Sequence, residues 1–174
     1  MESPTASQYS ALELASYIVR EMNLRELYLD HLKLQKLLYY INVFWMDKFG
    51  VTATTENTEK WQLGPVIKEV YTEFKVNGSY PITEVPKKIV FNQDSFFIKY
   101  ESIKTPALKE HEAELINEVL DIYGKKGSFE LVDETHEHTP WKSLESQIVQ
   151  EGVRDLIYSN EDFLLVANEI KGEQ

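Results

Sequence analysis

The sequence of 174 residues has no cysteine. That excludes disulfides and thiolate-held metal sites, and it agrees with a cytoplasmic location. Glycine (7) and proline (6) are both sparse, so nothing in the chain reads as low-complexity or linker-like. No apolar run approaches the ~20 residues needed to span a bilayer. The opening stretch, Met1 to Gln8, is polar and lacks the apolar core of a secretory signal. Cationic residues are in deficit: 18 Lys and Arg stand against 29 Asp and Glu, a net charge of −11. Phosphate backbones repel such a surface, which argues against nucleic-acid binding, whereas a basic protein would be attracted to it. The same charge also serves plain solubility.

What is present suits one packed domain. The length is that of a single unit able to bury roughly 70% of its unfolded surface, and 43% hydrophobic with 12% aromatic residues is the composition of a globule. Residues 1–9 are expected to be a short disordered lead and 10–171 one domain.

Hydrophobic periodicity predicts a mainly α fold (α+β), with a central buried helix and a small antiparallel β-hairpin. Ser10 to Glu13 fits a capping box ahead of Ala11, Leu14, Ala15, Ile18, Val19 and Met22, a helix over 10–22. Asp30 and Gly50 bracket a second helix over 30–49, apolar around most of its circumference and therefore central. Lys33, Lys36, Tyr40 and Asp47 share its remaining face. Gln35 and Asn42 lie on the other edge of the leucine stripe and need hydrogen-bond partners if buried. Residues 59–63 can form a short strand; Gly64-Pro65 then turns the chain, with Pro65 placed to open a third helix that ends at Asn77-Gly78. Two β-prone stretches, 88–91 and 95–100, flank an Asn92-Gln93-Asp94 turn. A fourth helix is expected from Pro106 to Gly124. A short one follows over 128–135 with Phe129 and Val132 inward, another over 141–149, and a last one is capped by Ser159.

Candidate chemistry is thin. His136 and His138 would point to one side of a strand and could hold a metal there, but on a helix or turn they diverge, and no third ligand stands at a suitable spacing. Without a metal, His136 would fix the turn before Pro140-Trp141. The chain has no H-E-x-x-H and no G-x-S-x-G, and Gly124 to Ser128 lacks phosphate-loop spacing. Pairs such as Glu69 and Glu73 read as a solvated helix face. We therefore expect no catalytic set, no metal and no cofactor.

Three segments stand out together: Lys33-Leu34-Gln35-Lys36-Leu37-Leu38-Tyr39-Tyr40; Trp61 through Gly64, Pro65 and Val66 to Tyr71; and His136 through Pro140 to Trp141. In order and spacing they resemble the Panacea domain family, a phage-associated, antitoxin-like domain, over roughly residues 10–170. The resemblance implies a compact, mostly helical domain that binds and neutralises a toxin encoded next door. Some members carry an added DNA-binding domain, for which this chain has neither room nor basic patch. The expected role is thus a protein-binding antitoxin with a cognate, basic toxin as partner, without membrane or direct nucleic-acid binding. Alternatives are a phage-associated interaction protein or protease adaptor, and a metal-dependent hydrolase built on the two histidines. The candidate partner-binding residues are Lys33, Gln35, Lys36, Tyr40 and Lys68, polar groups bordering apolar area as at the rim of an interface. The competing explanation for Lys33 and Lys36 is that their aliphatic stems merely cover the helix.

Overall fold

Helix α1 (Ala11–Leu24) opens where the Ser10 hydroxyl accepts a hydrogen bond from the Glu13 amide, and all six residues of its predicted apolar stripe are buried. Helix α2 (His31–Phe49) starts on the Asp30 carboxylate, which accepts from the Lys33 amide at 2.8 Å. It stops at Gly50, whose φ of 75° is left-handed. The computed structural model describes residues 5–173, and in it α2 is the axis of the molecule. Helices α1, α4 (Glu110–Tyr123), α5 (Ser128–Glu137) and α7 (Asn160–Gly172) all pack on it. Leu34, Leu37, Leu38, Tyr39, Ile41, Val43 and Trp45 of α2 have no exposed surface. Each large side chain buried this way contributes about 1.5–3 kcal/mol by removal from water.

The fold is mainly α with two small antiparallel pairs. Strand β1 (Glu59–Trp61) pairs with β2 (Gly64–Val66), Lys60 standing opposite Pro65. Helix α3 (Lys68–Phe74) follows directly. Pro65 is therefore a strand residue rather than the first residue of the helix. In a two-stranded sheet its missing N–H costs no ladder bond at an edge, while Gly64 at φ 89° takes up the turn. The second pair, β3 (Lys87–Phe91) and β4 (Ile98–Ser102), is the expected hairpin with its second strand shifted toward the C-terminus.

Four further expectations are corrected. Helix α4 begins at Glu110, not Pro106, because the Glu112 carboxylate receives the Lys109 amide at 2.8 Å and fixes the first turn there. The same carboxylate receives the Ser7 amide and the Tyr9 hydroxyl, so residues 5–9 are pinned to the domain rather than forming a loose lead; residues 1–4 lie outside the described residues. Burial alone would raise the pKa of Glu112, but these hydrogen bonds outweigh it and hold the group below its ordinary value. Finally, Phe129 faces solvent and Leu131 takes the inward position beside Val132. The stretch expected as a helix over 141–149 divides into α6 (Thr139–Lys142) and a wider turn, Ser146–Gln150.

Candidate functional site

The three segments singled out in the sequence meet around β2. From α2, the Gln35 amide clamps the backbone of Ile67 from both sides: its nitrogen donates to the carbonyl at 3.2 Å and its oxygen accepts from the N–H at 2.8 Å. Asn42, further along the helix, holds Thr54 by two groups: its nitrogen donates to the Thr54 hydroxyl at 3.0 Å and its oxygen accepts from the Thr54 N–H at 3.1 Å. Both buried amides are thereby satisfied. Lys36 has no exposed surface, and its ammonium donates to the Pro65 carbonyl at 3.1 Å. Burial pushes its pKa down to about 7, with Asp30 opposing the shift.

The third segment closes over the same strand. The Trp141 indole N–H donates to the Trp61 carbonyl at 2.8 Å, and His136 stacks on Trp141 with ring centroids 3.7 Å apart. The fully buried Thr135 stands against Gly64: a Cβ there would lie 2.6 Å from Thr135 Oγ1 and 3.2 Å from Lys36 Cε. His138 turns the other way into the core, where its Nδ1 and the Tyr39 hydroxyl share a hydrogen bond of 3.0 Å. Tyr40 donates to Glu134 at 3.2 Å and stacks on Tyr123. The two histidines thus occupy separate environments, and among the described residues no three metal-ligating side chains gather. Burial lowers the pKa of both, and Lys36 lowers that of His136 further.

This placement corrects the expected surface. Lys33, Gln35, Lys36 and Tyr40 are all buried, because neighbouring elements cover α2 on more than one side. The polar edge read as an interface rim is an internal set of clamps. Trp61, by contrast, is only half-buried. Lys68 is exposed, 3.4 Å from Glu59.

Outside the clamps lies a cleft of about 590 Å³. Its near wall is the outer side of the second motif: Trp61 and Tyr71, in edge contact at 4.9 Å, with Val66, Gln62 and Lys68. Leu63 stands on the rim, 49% exposed. The far wall is Ile148 with the loop Gly152 to Asp155, which the sequence reading missed. Gly152 and Asp155 both take a φ of 64°, and the glycine was the one local cue to this turn. At the floor, His31 packs on Tyr71, and its Nδ1 is buried without a partner. Burial holds His31 below its ordinary pKa and so neutral. Glu59 accepts from the Trp61 indole at 2.7 Å, and Lys60 pairs with Asp162 at 2.9 Å. The cleft thus has one aromatic wall and a lining that mixes apolar side chains with charged and amide groups.

A family model described as "Antitoxin SocA-like, Panacea domain" matches residues 34–142, a span that includes all these motif positions except Lys33. No curated protein and no solved structure matches the chain. Among the described residues no helix is long and apolar enough to cross a membrane.

Proposed function

The chain belongs to the antitoxin SocA-like, Panacea domain family, and we propose that it neutralises a toxin encoded beside it by direct binding in the cytoplasm. The family gives an antitoxin-like role in general; the particular partner and the mode of neutralisation are our reading. One observation carries it: the family motifs use their polar side chains internally to hold β1, β2 and α3, and the outer side of that held unit is the wall of the cleft. The polar chemistry of the motifs is spent on shaping a surface. The role is binding rather than catalysis, with Lys68, Leu63, Trp61 and Tyr71 as contacts. A net charge of −11 favours a basic protein over nucleic acid and would make association slow as salt rises.

The test is coexpression with the adjacent toxin gene. Wild type should restore growth and copurify with the toxin. The surface double variant Leu63→Lys with Lys68→Ala, which puts a cation on the apolar rim facing a basic partner, should lose both while keeping the wild-type melting temperature. Absence of rescue and copurification with wild type would overturn the antitoxin role. Full rescue by the double variant would leave the role standing and remove the cleft as its interface.

A further inference from the structure

The β3–β4 hairpin is two-faced. Its register puts Ile89 opposite Tyr100 and Phe91 opposite Ile98 on one side, and Lys88 opposite Glu101 and Val90 opposite Lys99 on the other. Every residue of both strands is exposed, so neither face packs on the body of the protein. Phe96, 82% exposed, extends the apolar face by packing edge-on against Phe91. Ile89, Phe91, Phe96, Ile98 and Tyr100 together leave on the order of 600 Å² of side chain in water, counting about 200 Å² per large side chain. That is the upper end of the largest apolar patch a monomer usually shows, about 300–600 Å². The turn is nonetheless well held: the Asn92 side-chain oxygen accepts from the Asp94 and Ser95 amides. An isolated two-stranded ribbon is marginal in water, and three or more strands are needed for independent stability.

We propose that the further strands come from a second copy of this chain, joined through the open edge of β4. The strand Ile98-Lys99-Tyr100-Glu101-Ser102 is complementary to itself about a two-fold axis through Tyr100. Antiparallel pairing on that axis sets Lys99 against Glu101 of the second copy and Glu101 against its Lys99, two cross-strand ion pairs made by one symmetry operation. On the opposite face the tyrosines meet, and the two apolar quartets become one continuous four-stranded surface. Glu101 would lie between Lys88 of its own hairpin and Lys99 of the second copy, giving a row of alternating sign. The edge of β3 offers no equivalent. A two-fold through Ile89 sets Lys88 against Val90 and Lys87 against Phe91, and lysines in that position guard an edge. A lipid surface fits less well, because a ribbon entering a membrane would carry unpaired backbone groups along both edges.

Sedimentation equilibrium and light scattering over a concentration series test this directly. Wild type should show a reversible dimer. Lys99→Glu and Glu101→Lys each turn two attractive pairs into two repulsive ones and should weaken dimerisation by roughly tenfold or more. The swap Lys99→Glu with Glu101→Lys restores both cross-copy pairs, at the loss of the Lys88–Glu101 pairing within each hairpin, and should recover most of the dimer. Circular dichroism should show all three variants folded, since the hairpin touches no core. A wild type that stays monomeric overturns the proposal, and so does a dimer indifferent to both single reversals. A monomer that sediments with anionic lipid vesicles would assign the face to a membrane instead. Protection of β4 amides from exchange only when the neighbouring toxin is present would assign it to that protein; either result refutes the self-pairing.

Discussion

The ammonium of Lys36 donates to the carbonyl of Pro65 at 3.1 Å from inside a fully buried site. One bond thereby joins the lysine of the helical motif to the proline of the strand motif. Gln35 makes the neighbouring join to Ile67. The two segments occur together because each supplies the polar groups that the other would leave unpaired in the core.

Gly64 is the position where that joint has least slack. Its φ of 89° strains any L side chain, and a Cβ would stand 2.6 Å from Thr135 Oγ1. Gly64→Ala should therefore cost about 2–4 kcal/mol, the sum of a left-handed backbone and overpacking. Urea unfolding of the purified variant measures it.

The two tryptophans of the joint should behave differently. Trp141 is buried, stacked by His136 and bonded to the Trp61 carbonyl, so Trp141→Ala should cost about 3–5 kcal/mol. Trp61 is half-buried on the wall of the cleft, and its own loss to Ala should cost only about 1–2 kcal/mol. Equal costs in chemical denaturation would mean that Trp61 belongs to the core and not to a binding surface.

How far the sequence could be read depended on the range of the interactions that decide each feature. Local chemistry was legible: the caps at Ser10, Asp30 and Ser159, the stop at Gly50 and the stripe of α1 all stand as expected. So was the need of Gln35 and Asn42 for partners, though not who the partners are. What failed depends on distant chain segments. Whether Lys36 meets water or the Pro65 carbonyl is settled by packing across the fold, and a lysine at a polar position of a helix looks the same in either case. Pro65 failed for a related reason: proline suits a helix start and a sheet edge equally, and only pairing with Lys60 decides. The far wall of the cleft carries no motif at all, apart from Gly152.

Truncating the polar residues of α2 should act on folding before it acts on any partner. Lys33, Lys36 and Tyr40 are buried, and Tyr40 both stacks on Tyr123 and bonds to Glu134. The triple alanine variant removes a stacked aromatic and two filled positions against a total stability of about 5–15 kcal/mol. It should be largely unfolded by circular dichroism at about 37 °C, below the range of about 45–65 °C in which ordinary domains melt. A cooperative melt near that of wild type would show that the three side chains lie outside the core.

The charge state of Lys36 should give the protein a pH signature above neutrality. Unfolded, the amine titrates at its ordinary value; folded, burial lowers that to about 7. Between these values the unfolded chain binds one more proton, so stability rises with pH, by about 1.4 kcal/mol per unit at full effect. From about pH 7 to about pH 9 the gain should be about 2 kcal/mol, taking the folded value of about 7. Lys33, also held below its ordinary pKa by burial, adds to the upper end. Above about pH 9.5 the sign reverses, because tyrosines ionise in the unfolded chain while burial raises Tyr39, Tyr40 and Tyr158 in the folded one. On the acid side, His31, His136 and His138 are all depressed by burial, so stability falls as pH drops below the ordinary histidine value of about 6.5. The window between these limits belongs to the two buried lysines, Lys36 from its lower end and Lys33 toward its upper end. Lys36→Met leaves the Pro65 carbonyl unpaired but removes the titrating group. Its urea midpoint should hold nearly level from about pH 7 to about pH 9 while that of wild type climbs. A parallel climb in both proteins would mean that Lys36 stays charged inside the fold.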